Sequence, residues 1–194
     1  MQGELYFIIL LVSYYLLHSL FADVSVKNWL QKRFIPNRWY RIFFNLVAIL
    51  GLLPLLYCWI VTPKQHLWQV TVYQEFIAGL FILTGSVLLY LAMRNYNLSE
   101  FSGVQQFNDS RIENNLRTDG LNQYVRHPLY FATPLLLLGF FLYYPHHFSL
   151  ILVLISTLYI YIGTRLEERK LVRTFGATYQ TYQRTTPMLI PWII

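Results

Sequence analysis

The sequence predicts an all-α, polytopic membrane protein with about five transmembrane helices and a C-terminal amphipathic helix. Of its 194 residues, 56% are hydrophobic and only 12% are charged, whereas roughly a quarter of the residues in an average soluble domain are charged. Aromatic residues make up 18% of the chain, which is typical of a protein with many side chains at the lipid–water boundary. This composition predicts a single integral membrane domain over residues 1–194.

Five apolar stretches of 16 to 20 residues predict the transmembrane helices. As helices they would be roughly 24–30 Å long, close to the thickness of the hydrocarbon layer. Three belong to the N-terminal part, residues 5–93, and two to a C-terminal part, residues 118–192. The stretches are 5–22, 43–62, 76–93, 129–144 and 148–164. Only Pro145-His146-His147 joins the last two, so they are expected to form a tight antiparallel hairpin.

The basic residues predict the orientation of the chain in the membrane. Residues 23–42 hold five Lys and Arg, residues 94–128 hold four, and the tail from residue 165 holds five, which leaves only Lys64 elsewhere. With five helices these three segments share one side, and the positive-inside rule makes that side cytoplasmic, with the N-terminus outside. Since no basic region precedes the first apolar stretch, that stretch is expected to stay as a helix.

The position of these basic residues between membrane spans argues against a nucleic-acid partner. Trp29, Trp39 and Tyr40 lie among the basic residues of 23–42, a mixture also found in nucleic-acid interfaces. However, this segment connects two membrane spans, so anionic lipid headgroups are the better partners. The single cysteine, Cys58, excludes an intramolecular disulfide, and no metal site is predicted.

Candidate chemistry is concentrated at the cytoplasmic ends of the last two helices. Arg126, His127 and Pro128 precede helix four, and Pro128 suits a first helical turn because its missing N–H is no loss there. Glu167 and Glu168 follow the apolar part of helix five. The hairpin brings these groups together as a plausible pocket for a small zwitterionic or cationic cofactor. Alternatively, the arginines are membrane anchors, His127 is an interfacial residue, and the glutamates pair with the basic side chains at 169 and 170.

The C-terminal tail predicts an amphipathic helix that covers this pocket. Leu171, Phe175, Tyr179 and Tyr182 follow one another at spacings of four, four and three, which places them on one helical face. Such a helix can lie against the bilayer surface.

Two blocks of the tail together resemble the isoprenylcysteine carboxyl methyltransferase superfamily. They run from Gly120 through Arg126-His127-Pro128-x-Tyr130, and from Glu167-Glu168 through the tail tyrosines to Pro187 and Pro191. Phospholipid N-methyltransferases are similar, and the chain looks closest to small bacterial members of the methanethiol S-methyltransferase type.

The resemblance implies an S-adenosylmethionine-dependent methyltransferase. It implies a cofactor site built by Arg126, His127, Pro128, Tyr130, Glu167 and Glu168. The acceptor is expected to be a small lipophilic or membrane-resident molecule, and a thiol, a lipid amine and a carboxylate all remain open.

Two residues are candidates for a general base, should the acceptor need one. These catalytic candidates are His18 and Glu100. The alternative for His18 is a hydrogen-bonded histidine at a helix end, and for Glu100 a solvated loop charge.

Two other functions compete with the methyltransferase. One is an NADPH-dependent oxidoreductase similar to sterol reductases, which share a comparable Arg-His and Tyr-x-x-Tyr region. The other is a non-catalytic membrane protein that keeps the fold. The expected location is a bacterial or archaeal cytoplasmic membrane, or an endomembrane, with the active site on the cytoplasmic side.

Overall fold

The computed structural model describes residues 2–94 and 116–191, and every regular element in them is helical. His66 and His146 form an isolated bridge, and the described residues contain no strand. The prediction of an all-α fold is therefore confirmed. The helices are α1 (Gln2–Ala22), α2 (Val24–Arg33), α3 (Asn37–Val61), α4 (Val72–Arg94), α5 (Pro128–Tyr143), α6 (His147–Phe175) and α7 (Ala177–Thr185), with a 3-10 turn at Gly120–Gln123.

Four of these helices are long and apolar enough to cross a membrane, namely α1, α3, α4 and α6. Helix α5 is apolar but shorter, with 16 residues. The chain is thus a multi-pass integral membrane protein, and its five apolar helices match the five predicted stretches. Which side of the membrane the N-terminus occupies stays a prediction.

The described residues form two compact units. Residues 2–64 belong to the first, and residues 65–94 and 116–191 belong to the second. The prediction of one domain over 1–194 stays a prediction.

The first unit contains a short helix where the sequence suggested only a basic connection. The Asp23 side chain accepts hydrogen bonds from the backbone N–H groups of Ser25 and Val26, at 2.8 and 3.2 Å. It therefore caps the N-terminus of α2, which is a preferred role for aspartate. The Tyr40 hydroxyl of α3 donates to the Phe21 carbonyl of α1 at 2.5 Å and ties these two spans together.

In the second unit, α4 and α5 pack antiparallel at very close range. A Cβ added at Gly85 would lie 2.8 Å from the Leu136 nitrogen, and one added at Gly139 would lie 2.8 Å from the Ile82 nitrogen. Lipid tails are as apolar as leucine, so membrane helices associate through van der Waals contact, and small residues allow their backbones to approach. These two glycines make that contact possible and fix how α5 lies on α4.

Helix α6 is longer than the predicted apolar stretch. It has 29 residues and continues for about two turns beyond Glu168. It ends before Gly176, whose φ of +57° lies in the left-handed region that favours glycine. The predicted amphipathic helix over residues 171–182 is therefore divided at Gly176. A short amphipathic helix, α7, is present, and it buries Tyr179 and Tyr182.

Candidate functional site

Glu168 is a buried carboxylate that accepts hydrogen bonds from four side chains. Only 6% of the residue is exposed. Arg126 donates through Nε to Oε1 and through Nη2 to Oε2, each at 2.9 Å. His127 Nε2 and the Tyr179 hydroxyl reach Oε1 at 2.7 and 2.6 Å, and Gln183 Nε2 donates to Oε2. We call Arg126, His127, Glu168, Tyr179 and Gln183 the Glu168 cluster.

Three helices position the Glu168 cluster. Arg126 and His127 immediately precede Pro128, the buried first residue of α5. Glu168 lies on α6, and the short connection between α5 and α6 returns it to the start of α5. Tyr179 and Gln183 are four residues apart on α7 and therefore share one helical face. The prediction that the hairpin brings the arginine, the histidine and the glutamates together is confirmed by these contacts.

Arg126 also attaches the C-terminal tail to the start of α5. Its Nη1 donates to the carbonyls of Gln183, at 3.1 Å, and Thr186. Its backbone N–H donates to the Pro187 carbonyl at 2.9 Å. The guanidinium is thus occupied on all three nitrogens, and Glu168 pairs with Arg126 rather than with the basic side chains at 169 and 170. Arg126 and Glu168 act as a structural pair that holds the tail in place.

Glu167 differs from its neighbour because its carboxylate is accessible. Its side chain is 41% exposed, and its Oε2 lies 3.9 Å from His127 Nδ1. Because the Glu168 carboxylate can only accept, His127 Nε2 is the donor, and in the neutral form of the imidazole Nδ1 presents a lone pair. In that form Glu167 and His127 Nδ1 are two acceptors side by side, a suitable arrangement for a ligand ammonium group. The Tyr130 ring stacks on the His127 ring, with centroids 5.6 Å apart and planes at 11°.

Two tyrosines of α7 are neutral donors at physiological pH. Burial, followed by the hydrogen bond to Glu168, raises the pKa of Tyr179 well above its ordinary value. Burial raises the pKa of Tyr182 to about 12. The Tyr182 hydroxyl donates to the Asn122 carbonyl, and Asn122 Nδ2 donates to the Arg126 carbonyl at 3.0 Å. Tyr179 therefore fastens α7 to α6, and Tyr182 fastens α7 to the segment that precedes α5.

A cavity of about 530 Å³ lies beside this segment. Val125 and Pro128 belong to its lining, whereas no member of the Glu168 cluster does. We call it the proline-lined cavity. Its lining residues are Leu88, Leu121, Gln123, Tyr124, Val125, Pro128, Phe131, Thr185, Pro187 and Pro191.

Of the two general-base candidates, only His18 is among the described residues. His18 belongs to the first unit, where it lines a cavity of about 170 Å³ between α1 and α3 and packs against Phe44 with ring centroids 5.0 Å apart. Glu100 lies outside the described residues. The catalytic roles of both residues stay predictions.

Gln183 and Asn122 belong to this hydrogen-bond network, although no sequence motif indicated a role for them. Gln183 was detectable as a polar residue one turn after Tyr179 on the face of α7 assigned to the pocket. Asn122 carried no signal, because its contribution is a carbonyl and an amide placed by a 3-10 turn.

Comparisons with known proteins agree with the resemblance in the tail and extend it to nearly the whole chain. A family model described as NnrU protein matches residues 6–194. A methanethiol S-methyltransferase from Pseudomonas deceptionensis is 31% identical over an alignment of 202 positions, gaps included, which covers 95% of this chain and 71% of the relative. Methanethiol S-methyltransferase 2 from Bradyrhizobium diazoefficiens is 31% identical over 187 residues, 90% of this chain and 68% of the relative. A methanethiol S-methyltransferase from Crocosphaera subtropica is 30% identical over 191 residues, 91% of this chain and 70% of the relative. No solved structure matches the chain.

Proposed function

This chain belongs to the NnrU protein family, and from that membership we propose that it transfers a methyl group from S-adenosylmethionine to a small lipophilic acceptor. Relatives named methanethiol S-methyltransferase support methyl transfer as the reaction and a thiol as the first acceptor to test. Because an apolar acceptor can enter from the bilayer and a soluble donor from water, the reaction suits a pocket at the membrane surface. The positive-inside rule favours the cytoplasmic surface.

The accessible carboxylate of Glu167 and the buried imidazole of His127 behind it fit the charges of this methyl donor. S-adenosylmethionine carries an α-ammonium, a carboxylate and a sulfonium, and when bound it supplies an electrophilic methyl group. The carboxylate of Glu167 and the lone pair of His127 Nδ1, 3.9 Å apart, suit the ammonium. The aromatic face of Tyr130 suits the sulfonium or the adenine, and a cation–π contact of this kind contributes about 0.5–2 kcal/mol.

Arg126 and Glu168 have a different role in this proposal. Their charged atoms are already paired with each other and with the tail, so they are positioning residues. They hold His127, and with it the Nδ1 lone pair, in a fixed orientation. Pre-organisation of this kind reduces the cost of ordering a site when ligand binds. The single observation that carries the proposal is this contrast between a saturated Glu168 and an accessible Glu167 next to it.

Calorimetry in detergent tests the donor site. S-adenosylhomocysteine, the demethylated product, carries the ammonium, whereas 5′-methylthioadenosine lacks the whole amino-acid part. We expect wild type to bind S-adenosylhomocysteine. Glu167→Gln should weaken that binding by roughly tenfold, because the hydrogen bond to the ligand ammonium loses the negative charge of its acceptor. Binding of methylthioadenosine should not change. Failure of wild type to bind S-adenosylhomocysteine, or equal loss for both ligands, would contradict this site.

Transfer of a labelled methyl group tests the reaction itself. Purified protein is supplied with labelled S-adenosylmethionine and, in separate reactions, with a thiol, a lipid amine and an isoprenoid carboxylate. We expect labelled product from the thiol and its loss in His127→Ala. Tight binding of NADPH without any methyl transfer would instead favour the oxidoreductase alternative.

A further inference from the structure

We propose that the proline-lined cavity binds the alkyl chain of the methyl acceptor, and that this acceptor is an uncharged thiol with several carbon atoms. This inference rests on the proposed function and specifies its substrate class. In the reaction, the acceptor sulfur forms the new S–CH₃ bond while the methyl–sulfonium bond of the donor breaks. The thiol proton passes to solvent, and the products are a methyl alkyl thioether and S-adenosylhomocysteine.

The size of the cavity favours an alkyl chain. Its volume is about 530 Å³, within the roughly 300–1,000 Å³ of small-molecule pockets. A single water takes up about 30 Å³ of liquid volume, so a one-carbon thiol would leave most of the cavity unfilled. Because the cavity is partly open, the gain is the additional van der Waals contact that a longer chain makes along its apolar lining.

The floor of the cavity is apolar and rigid. Val125, Pro128 and Pro187 are buried lining residues. The rings of both prolines are fixed at the backbone, and the Pro187 carbonyl is held by the Arg126 N–H at 2.9 Å. A preformed apolar floor of this kind suits a hydrocarbon chain and demands little ordering when the ligand binds.

Among the described residues, the rim of the cavity is polar but uncharged. Gln123, Tyr124 and Thr185 are its exposed lining residues, and none of the ten described lining residues carries a charged side chain. A carboxylate or ammonium acceptor would lose its hydration there without gaining a partner charge from the described lining, which is unfavourable. A neutral thiol avoids that cost, so the lining favours a thiol over the other two acceptor classes.

The cavity and the candidate donor site share one stretch of backbone. Val125 and Pro128 line the cavity, while Arg126 and His127 between them belong to the Glu168 cluster. An acceptor seated in the cavity is therefore bound by the same segment that orients His127. Methyl transfer requires the donor methyl group and the acceptor sulfur to be held in a fixed relative position. Because one backbone segment contacts both sites, it can hold the two ligands in that position.

A series of n-alkanethiols tests the inference through turnover. We expect kcat/KM for labelled methyl transfer to rise from methanethiol through butanethiol to octanethiol, by up to about fourfold per methylene that enters the cavity. Leu88→Trp, which fills the cavity from α4, should abolish that rise. Leu83→Trp is the matched control because Leu83 lies on the same helix, is 61% exposed and does not line the cavity. Equal kcat/KM along the wild-type series, or equal loss in both variants, would overturn the inference.

Photolabelling tests the cavity without turnover. An octanethiol with a diazirine in its chain is irradiated with the protein, and the labelled peptides are identified by mass spectrometry. We expect labels in residues 121–131 and 185–191, displaced by octanethiol and absent from Leu88→Trp. Labels on lipid-facing positions, or displacement by phospholipid alone, would overturn the inference. Calorimetry with S-adenosylhomocysteine on the same sample tests the proposed function separately, since donor binding does not require the acceptor cavity.

Discussion

Arg126 donates hydrogen bonds to both carboxylate oxygens of Glu168, through Nε and Nη2, at 2.9 Å each. The side chains of both residues are 8% exposed, although the residues are 42 positions apart in the chain. Bidentate pairs of this type are specific in geometry and stronger than neutral hydrogen bonds. This pair joins the start of α5, the C-terminal half of α6 and the tail, and Glu168 is the immediate sequence neighbour of the accessible Glu167.

The Arg126–Glu168 pair predicts that substitutions at two adjacent glutamates differ greatly in their effect on the free energy of unfolding. Glu168→Gln should lower the free energy of unfolding by about 3–5 kcal/mol, because it leaves the Arg126 charge buried without a counter-charge. Glu167→Gln should change it by less than about 1 kcal/mol, since that side chain is 41% exposed. Thermal unfolding in detergent measures both values. Equal effects of the two substitutions would mean that the buried pair does not stabilise the fold.

Methyl-donor binding should stabilise the protein in a way that depends on Glu167. Saturation with S-adenosylhomocysteine at a hundred times its Kd should add about 2.7 kcal/mol to the stability of wild type. At the same ligand concentration Glu167→Gln should gain less, because its affinity is lower while its fold is intact. The midpoint of thermal unfolding with and without ligand measures the gain. An identical gain in both proteins would show that Glu167 does not contact the ligand.

The Tyr179 hydroxyl should stabilise the attachment of α7. Tyr179→Phe removes the donor that lies 2.6 Å from Glu168, and a hydrogen bond to a charged group contributes about 1.5–3 kcal/mol. The control is Tyr73→Phe, at a position that is 84% exposed, which should have little effect. Limited proteolysis of the tail measures the result, since a loosened α7 is cleaved faster. Unchanged cleavage of the Tyr179 variant would contradict this role.

The buried phenol of Tyr182 predicts a loss of stability at alkaline pH. Its pKa is raised by burial from 10.0 to about 12 in the folded state. Between these values the unfolded chain has released the proton and the folded chain still holds it, so stability falls as pH rises. Relative to its own stability at pH 8, Tyr182→Phe should lose less than wild type between pH 10 and 12. Denaturant unfolding at each pH checks this, and a Tyr73→Phe control should follow wild type.

The close approach of α4 and α5 predicts opposite effects for two glycines of the same helix. Gly85→Ala places a Cβ 2.8 Å from the Leu136 nitrogen, and such overpacking costs typically about 1–3 kcal/mol. Gly79→Ala meets nothing within 4 Å, so it should be neutral or stabilise the helix by up to about 1 kcal/mol. Thermal unfolding compares the two variants. A harmless Gly85→Ala would indicate that the two helices separate easily.

The sequence was sufficient to predict a membrane protein, because that class depends on overall composition and on the lengths of apolar stretches. Low charge, long apolar stretches and the short connection before His147 can all be read from the local sequence. A segment that crosses a bilayer must be helical and must match the thickness of the hydrocarbon layer, whatever the rest of the chain does. The cluster containing Arg126, His127 and Glu168 could also be predicted, because short sequence motifs in the tail contain these residues. Reliance on local sequence also explains the error at Gly176, where a continuous spacing of apolar residues concealed a change of backbone conformation.

The roles within the cluster were decided only by the tertiary structure. In the sequence Glu167 and Glu168 are equivalent neighbours, and Arg126 fits a ligand carboxylate as well as a glutamate. Which carboxylate is buried depends on the rotation of α6 against α5 and α7, and that rotation follows from packing contacts between distant residues. One glutamate thereby became the partner of Arg126, Tyr179 and Gln183, while the other kept an accessible carboxylate beside His127.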